Sequence, residues 1–255
     1  MKKRFVSCLV TALMVGSVAG AAHAGKIVVA NDEWTLSDSG FFAPNDPAQF
    51  AQNVASWFTG GSNGNFLAYS NNFGLTGSGL AAAMTGAGHS WTVSQAVTFD
   101  LATLSNYDGI FLTGNPADNQ VLINYVNNGG NVYLAGGTGW GGAAAEAAQW
   151  NTFLNAFGLE FGNFYNGVVG NIAISSAHPI FANVDHLYQN NGNNTLDINA
   201  LDPAGHVVVY SSPTAGQGLY AVYESSSSPV PEPTTLLLFG TGLAGLAAVG
   251  RRKKA

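Results

Sequence analysis

The chain has 255 residues, a formal net charge of −6 and a hydrophobic content of 47%. Seven of its eight basic residues lie at the two ends, so residues 25–228 carry a single lysine, Lys26, against thirteen Asp and Glu residues. A segment without clustered cations cannot neutralise a phosphate backbone, which excludes nucleic acid and anionic membrane surfaces as partners. Its length of about 200 residues suits one domain with a full core.

The first 24 residues have the pattern of a secretory signal peptide. A basic start at residues 2–4 precedes an apolar stretch, residues 5–19, and the triplet from Ala22 to Ala24 fits an A-x-A cleavage site before Gly25. We therefore expect export through the Sec machinery and cleavage by signal peptidase. The only cysteine, Cys8, lies in this segment, so the predicted mature chain has no thiol for a disulfide, a nucleophile or a metal.

Strands and helices alternate through the body, predicted as residues 25–224. Apolar or alternating runs predict strands at 26–30, 65–70, 90–96, 108–113 and 131–135. Helical spacing predicts a helix from Pro47, with Phe50, Val54, Trp57 and Phe58 on one face, and further helices at 80–84, 119–126 and 143–157. Later strands at 165–175, 206–210 and 218–223 form a C-terminal extension at the sheet edge. The fold class is α/β: a three-layer, doubly wound, mostly parallel sheet.

Three segments of this body resemble the class I glutamine-amidotransferase-like, or flavodoxin-like, fold. They are DGIFLTGNP at 108–116, NNGGNVYLAGG at 127–137 and HPIFANV at 178–184. The resemblance implies a nucleophilic cysteine at a strand-to-helix turn, but the turns at 113–116 and 136–139 contain none. It therefore implies the fold without that activity. Thr113 or Thr138 can replace the thiol only if a base lies within reach.

Polar residues follow the predicted parallel strands and should meet at the carboxyl edge of the sheet, where ligands bind in open α/β folds. The candidate rim consists of Asp32, Glu33, Asp38, Asn72, Asn115 and Thr138. Such oxygens suit calcium, although no calcium-loop spacing is present and a solvated acidic loop is the alternative. Nearby aromatic side chains suit either sugar stacking or a minor core: Trp34, Phe41, Phe42 and Trp140.

The glycines between residues 137 and 142 match G-x-G-x-x-G, a pattern of dinucleotide-binding turns. The match follows a late strand rather than the first one, so we interpret it as a turn that lets the next helix approach the sheet. The histidines show no zinc-ligand spacing. No cofactor is expected, with calcium as the one alternative.

The tail has three parts. Residues 225–233 form a linker that ends in Val230, Pro231, Glu232 and Pro233; residues 234–250 form an apolar membrane helix; and residues 251–255 carry Arg251, Arg252, Lys253 and Lys254, which should stay cytoplasmic. This tail resembles the PEP-CTERM sorting signal of Gram-negative bacteria. The resemblance implies processing by exosortase at the inner membrane, followed by display at the cell surface, often with exopolysaccharide.

These features lead to three functional expectations. The first is a non-enzymatic accessory or structural component of the envelope or exopolysaccharide matrix. The alternative is a module that binds carbohydrate or calcium at the carboxyl-edge rim. The second alternative is a secreted hydrolase with an unrecognised site.

Overall fold

The computed structural model describes residues 25–197, 206–211 and 218–224. These residues belong to one unit that spans His23–Ser228. The predicted signal peptide, residues 1–24, and the predicted linker, membrane helix and basic tail, residues 225–255, lie outside the described residues. Within the described part, no helix combines the length and the apolar character needed to cross a bilayer.

The first part of the body alternates strands and helices, as the hydrophobic pattern predicts. Its strands are β1 Lys26–Ala30, β2 Asn65–Ala68, β3 Ser90–Val93, β4 Gly109–Thr113 and β5 Val132–Ala135. Its helices are α1 Pro47–Thr59, α2 Phe73–Thr76, α3 Ser78–Gly86, α4 Leu101–Leu104, α5 Asn119–Asn127 and α6 Ala143–Asn155. The loop after β1 contains two 3-10 turns, Glu33–Leu36 and Asp38–Phe41, because the side chains of Asp32 and Ser37 cap their first N–H groups.

The second part of the body is mainly strand. It comprises β6 Leu159–Tyr165, β7 Val169–Ala173, β8 His186–Asn190, β9 Asn193–Asp197, β10 His206–Ser211 and β11 Gly218–Glu224, with a 3-10 turn at Pro179–Phe181. The strand predicted at 165–175 is shorter than predicted: β7 begins only at Val169, because the chain turns after the end of β6 at Tyr165, with Gly167 at a φ of +72°. Asn191 and Gly192 form the turn between β8 and β9.

Five strands pair in parallel in the order β3-β2-β4-β5-β1. The extension joins at the β1 end of this parallel part, where β11 runs antiparallel to β1 and pairs Lys26 with Glu224 and Ala30 with Tyr220. β9, β6 and β10 follow on the far side of β11. β7 and β8 form a separate two-stranded sheet. The last described strand of the chain is therefore an interior strand of the main sheet.

Two apolar cores lie on opposite faces of the sheet. Val28 and Ala30 of β1 belong to one core, together with side chains from α1 and α3, whereas Ile27 and Val29 belong to the other, with α5 and α6. Alternate residues of a strand point to opposite faces, so a strand buried on both faces must be apolar throughout. This arrangement gives the three layers that the sequence predicts.

Candidate functional site

The carboxyl ends of β2, β4 and β5 frame a pocket of about 420 Å³. Its lining residues are Asn71, Asn72, Gly114, Asn115, Pro116, Thr138, Gly139 and Trp140. Each group follows one of the three strands, since parallel strands bring their carboxyl ends to the same sheet edge. Three of the predicted rim residues, Asn72, Asn115 and Thr138, thus line one pocket.

The pocket surface is polar but uncharged, with one prominent aromatic. Trp140 exposes 57% of its surface and thus presents an aromatic ring at the pocket. Asn115 shapes the opposite wall, because its Oδ1 accepts a hydrogen bond from the Asn71 N–H at 3.0 Å. Gly114 has a φ of +72°, and a Cβ there would lie 2.9 Å from Asn72 Nδ2. Only glycine therefore allows Asn72 to approach this turn.

Asp32 lies at the end of β1 and is fully buried. Its Oδ1 accepts a hydrogen bond from the Trp34 N–H at 2.9 Å, and its Oδ2 accepts one from the Asn190 N–H at 2.5 Å. Burial raises the pKa of Asp32 to about 6, against the lowering effect of these backbone donors. Asp32 thus caps the first 3-10 turn and holds the end of β8 through a hydrogen bond.

Glu33 lies directly behind the pocket wall and exposes 4% of its surface. Its Oε2 accepts a hydrogen bond from Nδ2 of the pocket residue Asn72 at 2.5 Å. Burial is the main cause that raises the pKa of Glu33 to about 7, and the charges of Asp32 and Glu146 raise it further. Glu33 therefore changes its charge near neutral pH.

Glu146 is a site residue that the sequence did not single out. It lies in the first turn of α6, exposes 2% of its surface and accepts hydrogen bonds from the Gly137 N–H at 2.8 Å and from Thr138 Oγ1 at 2.9 Å. Burial raises its pKa, while Thr138, Gly137 and the side chain of Asn193 lower it. The available signal was one acidic residue in the first turn of an Ala-rich helix, a favourable place for negative charge.

The carboxyl group of Glu146 accepts the hydrogen bonds of the glycine-rich turn before α6. Backbone N–H groups of such turns hold phosphate in dinucleotide sites. Here the N–H groups of Gly137 and Thr138 donate to Glu146 instead. Gly137, Gly139, Gly141 and Gly142 all have positive φ, as a tight turn requires. The geometry supports the interpretation of the G-x-G-x-x-G match as a structural turn.

Asp32, Glu33 and Glu146 interact electrostatically, and no lysine or arginine among the described residues compensates their charge. Each of the other two carboxyl groups raises the pKa of Glu33, and Glu146 raises that of Asp32. The single lysine of residues 25–228, Lys26, lies at the opposite end of β1, where its Nζ donates to the Trp57 carbonyl at 2.7 Å and pairs with Glu224 at 3.1 Å. We call the three side chains the carboxyl cluster.

Tyr165 approaches this cluster from β6. Burial and the charges of Glu146 and Glu33 raise the pKa of its hydroxyl group. Its hydroxyl oxygen would lie 3.9 Å from a Cβ built on Gly139, so it also adjoins the pocket rim. A second tyrosine, Tyr133, is fully buried, and its pKa is raised by burial and by the charges of Tyr220 and Asp32.

The other predicted rim residues have different roles. Asp38 accepts a hydrogen bond from the Gly79 N–H at 2.8 Å at the start of α3 and does not line the pocket. The Trp34 ring packs edge-on against Phe73, with centroids 4.9 Å apart, and thus acts as an anchor. Phe41 packs against a core, whereas Phe42 is 72% exposed and is not among the pocket-lining residues.

The two threonines proposed as nucleophiles differ in their surroundings. Thr138 has a carboxyl group in reach, since its Oγ1 donates to Glu146, whereas the fully buried Thr113 Oγ1 has no hydrogen-bond partner among the described residues. Among the described residues, no group of three or more His, Cys, Asp and Glu side chains is placed to hold a metal ion. His89 and His178 each accept a backbone N–H bond at Nδ1, from Gly64 and Ile180.

Comparison with known proteins concerns the tail. Residues 229–253 match the PEP-CTERM protein-sorting motif. The chain therefore carries the signal of an exosortase substrate, which implies export and processing toward the cell surface. No curated protein and no solved structure matches the chain. The resemblance of the body to the amidotransferase-like fold stays a prediction.

Proposed function

We propose that this protein is a non-enzymatic component of the envelope or exopolysaccharide matrix, and that its body binds carbohydrate in the carboxyl-edge pocket. The sorting motif at 229–253 supports delivery to the cell surface. After removal of a signal peptide by signal peptidase, the tail anchors the protein in the inner membrane until exosortase acts. The surface-displayed body then contacts the polysaccharide around it.

The observation that carries this proposal is the composition of the pocket. Asparagine amides and a threonine hydroxyl offer hydrogen bonds to sugar hydroxyls, and the exposed Trp140 ring offers an apolar face for a pyranose. Pockets that combine an aromatic surface with a few convergent polar groups are typical ligand sites. The side chains of Asn72 and Asn115 are held by hydrogen bonds, which supports a site that is largely formed before a ligand arrives.

The direct test is a glycan-binding measurement on the processed protein isolated from the producing cells. We expect saturable binding of at least one class of neutral or amino-sugar oligosaccharide, and a loss of about tenfold or more in Trp140→Ala, because the stacking surface is removed. Phe42→Ala is the matched control, since it removes another exposed aromatic side chain that lies outside the pocket lining. Equal losses in both variants, or no binding, would contradict the proposal.

Calcium is the alternative ligand for the same rim. Carboxylate and amide oxygens of Glu33 and Asn72 are the donors that calcium prefers. If calcium binds there, millimolar calcium should raise the melting temperature of the wild type and should not raise that of Glu33→Gln. An unchanged melting temperature in the wild type removes calcium from the account.

A hydrolase is the second candidate function, and the Thr138–Glu146 contact favours it. A hydroxyl group that donates to a carboxyl group at 2.9 Å, beside a pocket, is the arrangement of a nucleophile and its base. An esterase and glycosidase panel should then show turnover that disappears in Thr138→Val. A silent panel would leave the non-enzymatic proposal standing.

A further inference from the structure

The carboxyl cluster lies one side chain behind the pocket wall. Asn72 lines the pocket and donates to Glu33, and Thr138 lines the pocket and donates to Glu146. Tyr165, which feels the charges of both glutamates, adjoins the rim at Gly139. Negative charge in this cluster therefore acts on whatever occupies the pocket, through a layer of protein rather than through bulk water.

No positively charged side chain in the described part of the body balances this charge. The titratable groups that face Glu33 are Asp32, Glu146 and Tyr165, and Tyr133 adjoins Asp32; none of them is a cation. Burying ionised carboxyl groups without a positive partner is costly, so a positive charge placed nearby is strongly favoured.

The fully buried side chain of Asn193, in β9, also favours a positive charge near the carboxyl cluster. Asn193 faces Glu146 closely enough to lower the pKa of that carboxyl group, yet among the described residues neither atom of its amide has a hydrogen-bond partner of standard geometry. Buried amides are normally satisfied, and an exception beside a pocket requires a reason. Within the described residues, the Asn193 amide therefore has unused hydrogen-bonding capacity beside the cluster.

The exposed aromatic side chain fits a cationic ligand as well. Trp140 is the best type of ring for holding an organic ammonium group, since its face carries partial negative charge. The net negative charge of residues 25–228 also repels anionic chains such as polyuronates. Together these features select for a positively charged ligand, and not only for a sugar.

We propose that the ligand of this pocket is a sugar chain that bears organic ammonium groups, such as an amino-sugar polymer with free or alkylated amines. This inference rests on the proposed carbohydrate function and narrows its ligand class. The ammonium group stacks against Trp140 and offsets the charge of the carboxyl cluster, whereas the uncharged pocket wall bonds to the sugar hydroxyls. Because a cation favours the ionised carboxyl groups, its binding releases protons from the cluster.

The test compares two oligomers that differ only in the group on nitrogen. They are N-acetylglucosamine and N,N,N-trimethylglucosamine oligomers of equal length, the second with a positive charge that does not titrate. We expect the processed protein to bind the trimethyl oligomer about tenfold more tightly than the acetyl oligomer near pH 8. The preference should shrink near about pH 5, where Glu33 is protonated, given its pKa of about 7.

Two variants locate the charge that is responsible. Glu33→Gln retains an oxygen that can accept the Asn72 bond but removes the charge, and should reduce the affinity ratio between the two oligomers. Asp185→Asn removes an exposed carboxyl group from the start of β8 and should leave the ratio unchanged. A ratio near one in the wild type, or a ratio that Glu33→Gln does not alter, overturns the inference while the carbohydrate proposal survives. Failure to bind any oligosaccharide overturns both.

Discussion

Three buried carboxyl groups make the stability of this protein depend on pH. Burial raises the pKa of Asp32 to about 6 and that of Glu33 to about 7, above the usual values of about 4 in an unfolded chain. Between about pH 4 and pH 7 the native state therefore binds more protons than the unfolded state. The contribution of these two groups to stability is therefore greatest below this window, falls as the pH rises through it, and stays lower above it.

Glu33→Gln should remove part of the loss of stability that ionisation of the buried carboxyl groups causes. We expect the free energy of unfolding to rise by up to about 3 kcal/mol near pH 8, as a rise in the pKa of Glu33 from 4.5 to about 7 implies, with little change near pH 4. Thermal unfolding at the two pH values measures the difference, with Asp185→Asn as a control for the change in net charge. A melting temperature that falls equally at both values would show that the glutamate stabilises the fold.

Gly114 and Gly86 form a matched pair for a second prediction. Gly114 has a φ of +72° and a Cβ would crowd Asn72, whereas nothing lies within 4 Å of a Cβ on Gly86, which ends α3. Gly114→Ala should cost about 1–3 kcal/mol and weaken ligand binding, but Gly86→Ala should be neutral or stabilising by up to about 1 kcal/mol. Denaturant unfolding checks both, and an equal effect would contradict the role of the turn.

At the scale of elements, continuous apolar runs and helical periodicity were reliable signals. β1, β4 and β5 are buried on both faces, and α1, α5 and α6 begin at the predicted residues. The four-residue helices α2 and α4 were missed, because each depends on one local cap, Asn72 or Asp100, rather than on a periodic pattern.

Tertiary contacts explain the remaining differences between the predicted and the observed elements and site. Asparagine has low strand propensity, yet Asn193 lies in β9 because its backbone pairs with Asn31 and with Asn166 across the fold. Of the site, the strand-end rule predicted Asn72, Asn115 and Thr138. It could not predict Glu146, since only the folded turn brings this helix residue to the rim.

The interior position of β11 gives an element-scale prediction. Leu219, Tyr220, Ala221 and Val222 are almost fully buried between β1 and the extension strands. A chain ended after residue 217 should leave the edge of β1 unpaired and fail to fold, whereas a chain ended after residue 228 should fold. Protease resistance and circular dichroism of the two truncated chains measure this, and a stable shorter chain would contradict the topology.

At the scale of the whole molecule, the pocket and the end of the last strand, β11, lie at opposite edges of the sheet. β11 ends at Glu224 beside Lys26, at the edge where β1 begins, while the pocket lies where the parallel strands end. The sorting motif follows from residue 229. The sorting motif and the pocket are therefore separate parts of the chain, so we expect that each can be altered without the other.

The most direct measurement is the distribution of the protein among inner membrane, polysaccharide matrix and medium, by quantitative immunoblot of fractionated producing cells. Wild type and Phe42→Ala should be processed and retained in the matrix. Alanine replacement of Pro231, Glu232 and Pro233 should hold the protein in the inner membrane, and Trp140→Ala should be processed yet released into the medium. Matrix retention of Trp140→Ala at the wild-type level would contradict the account.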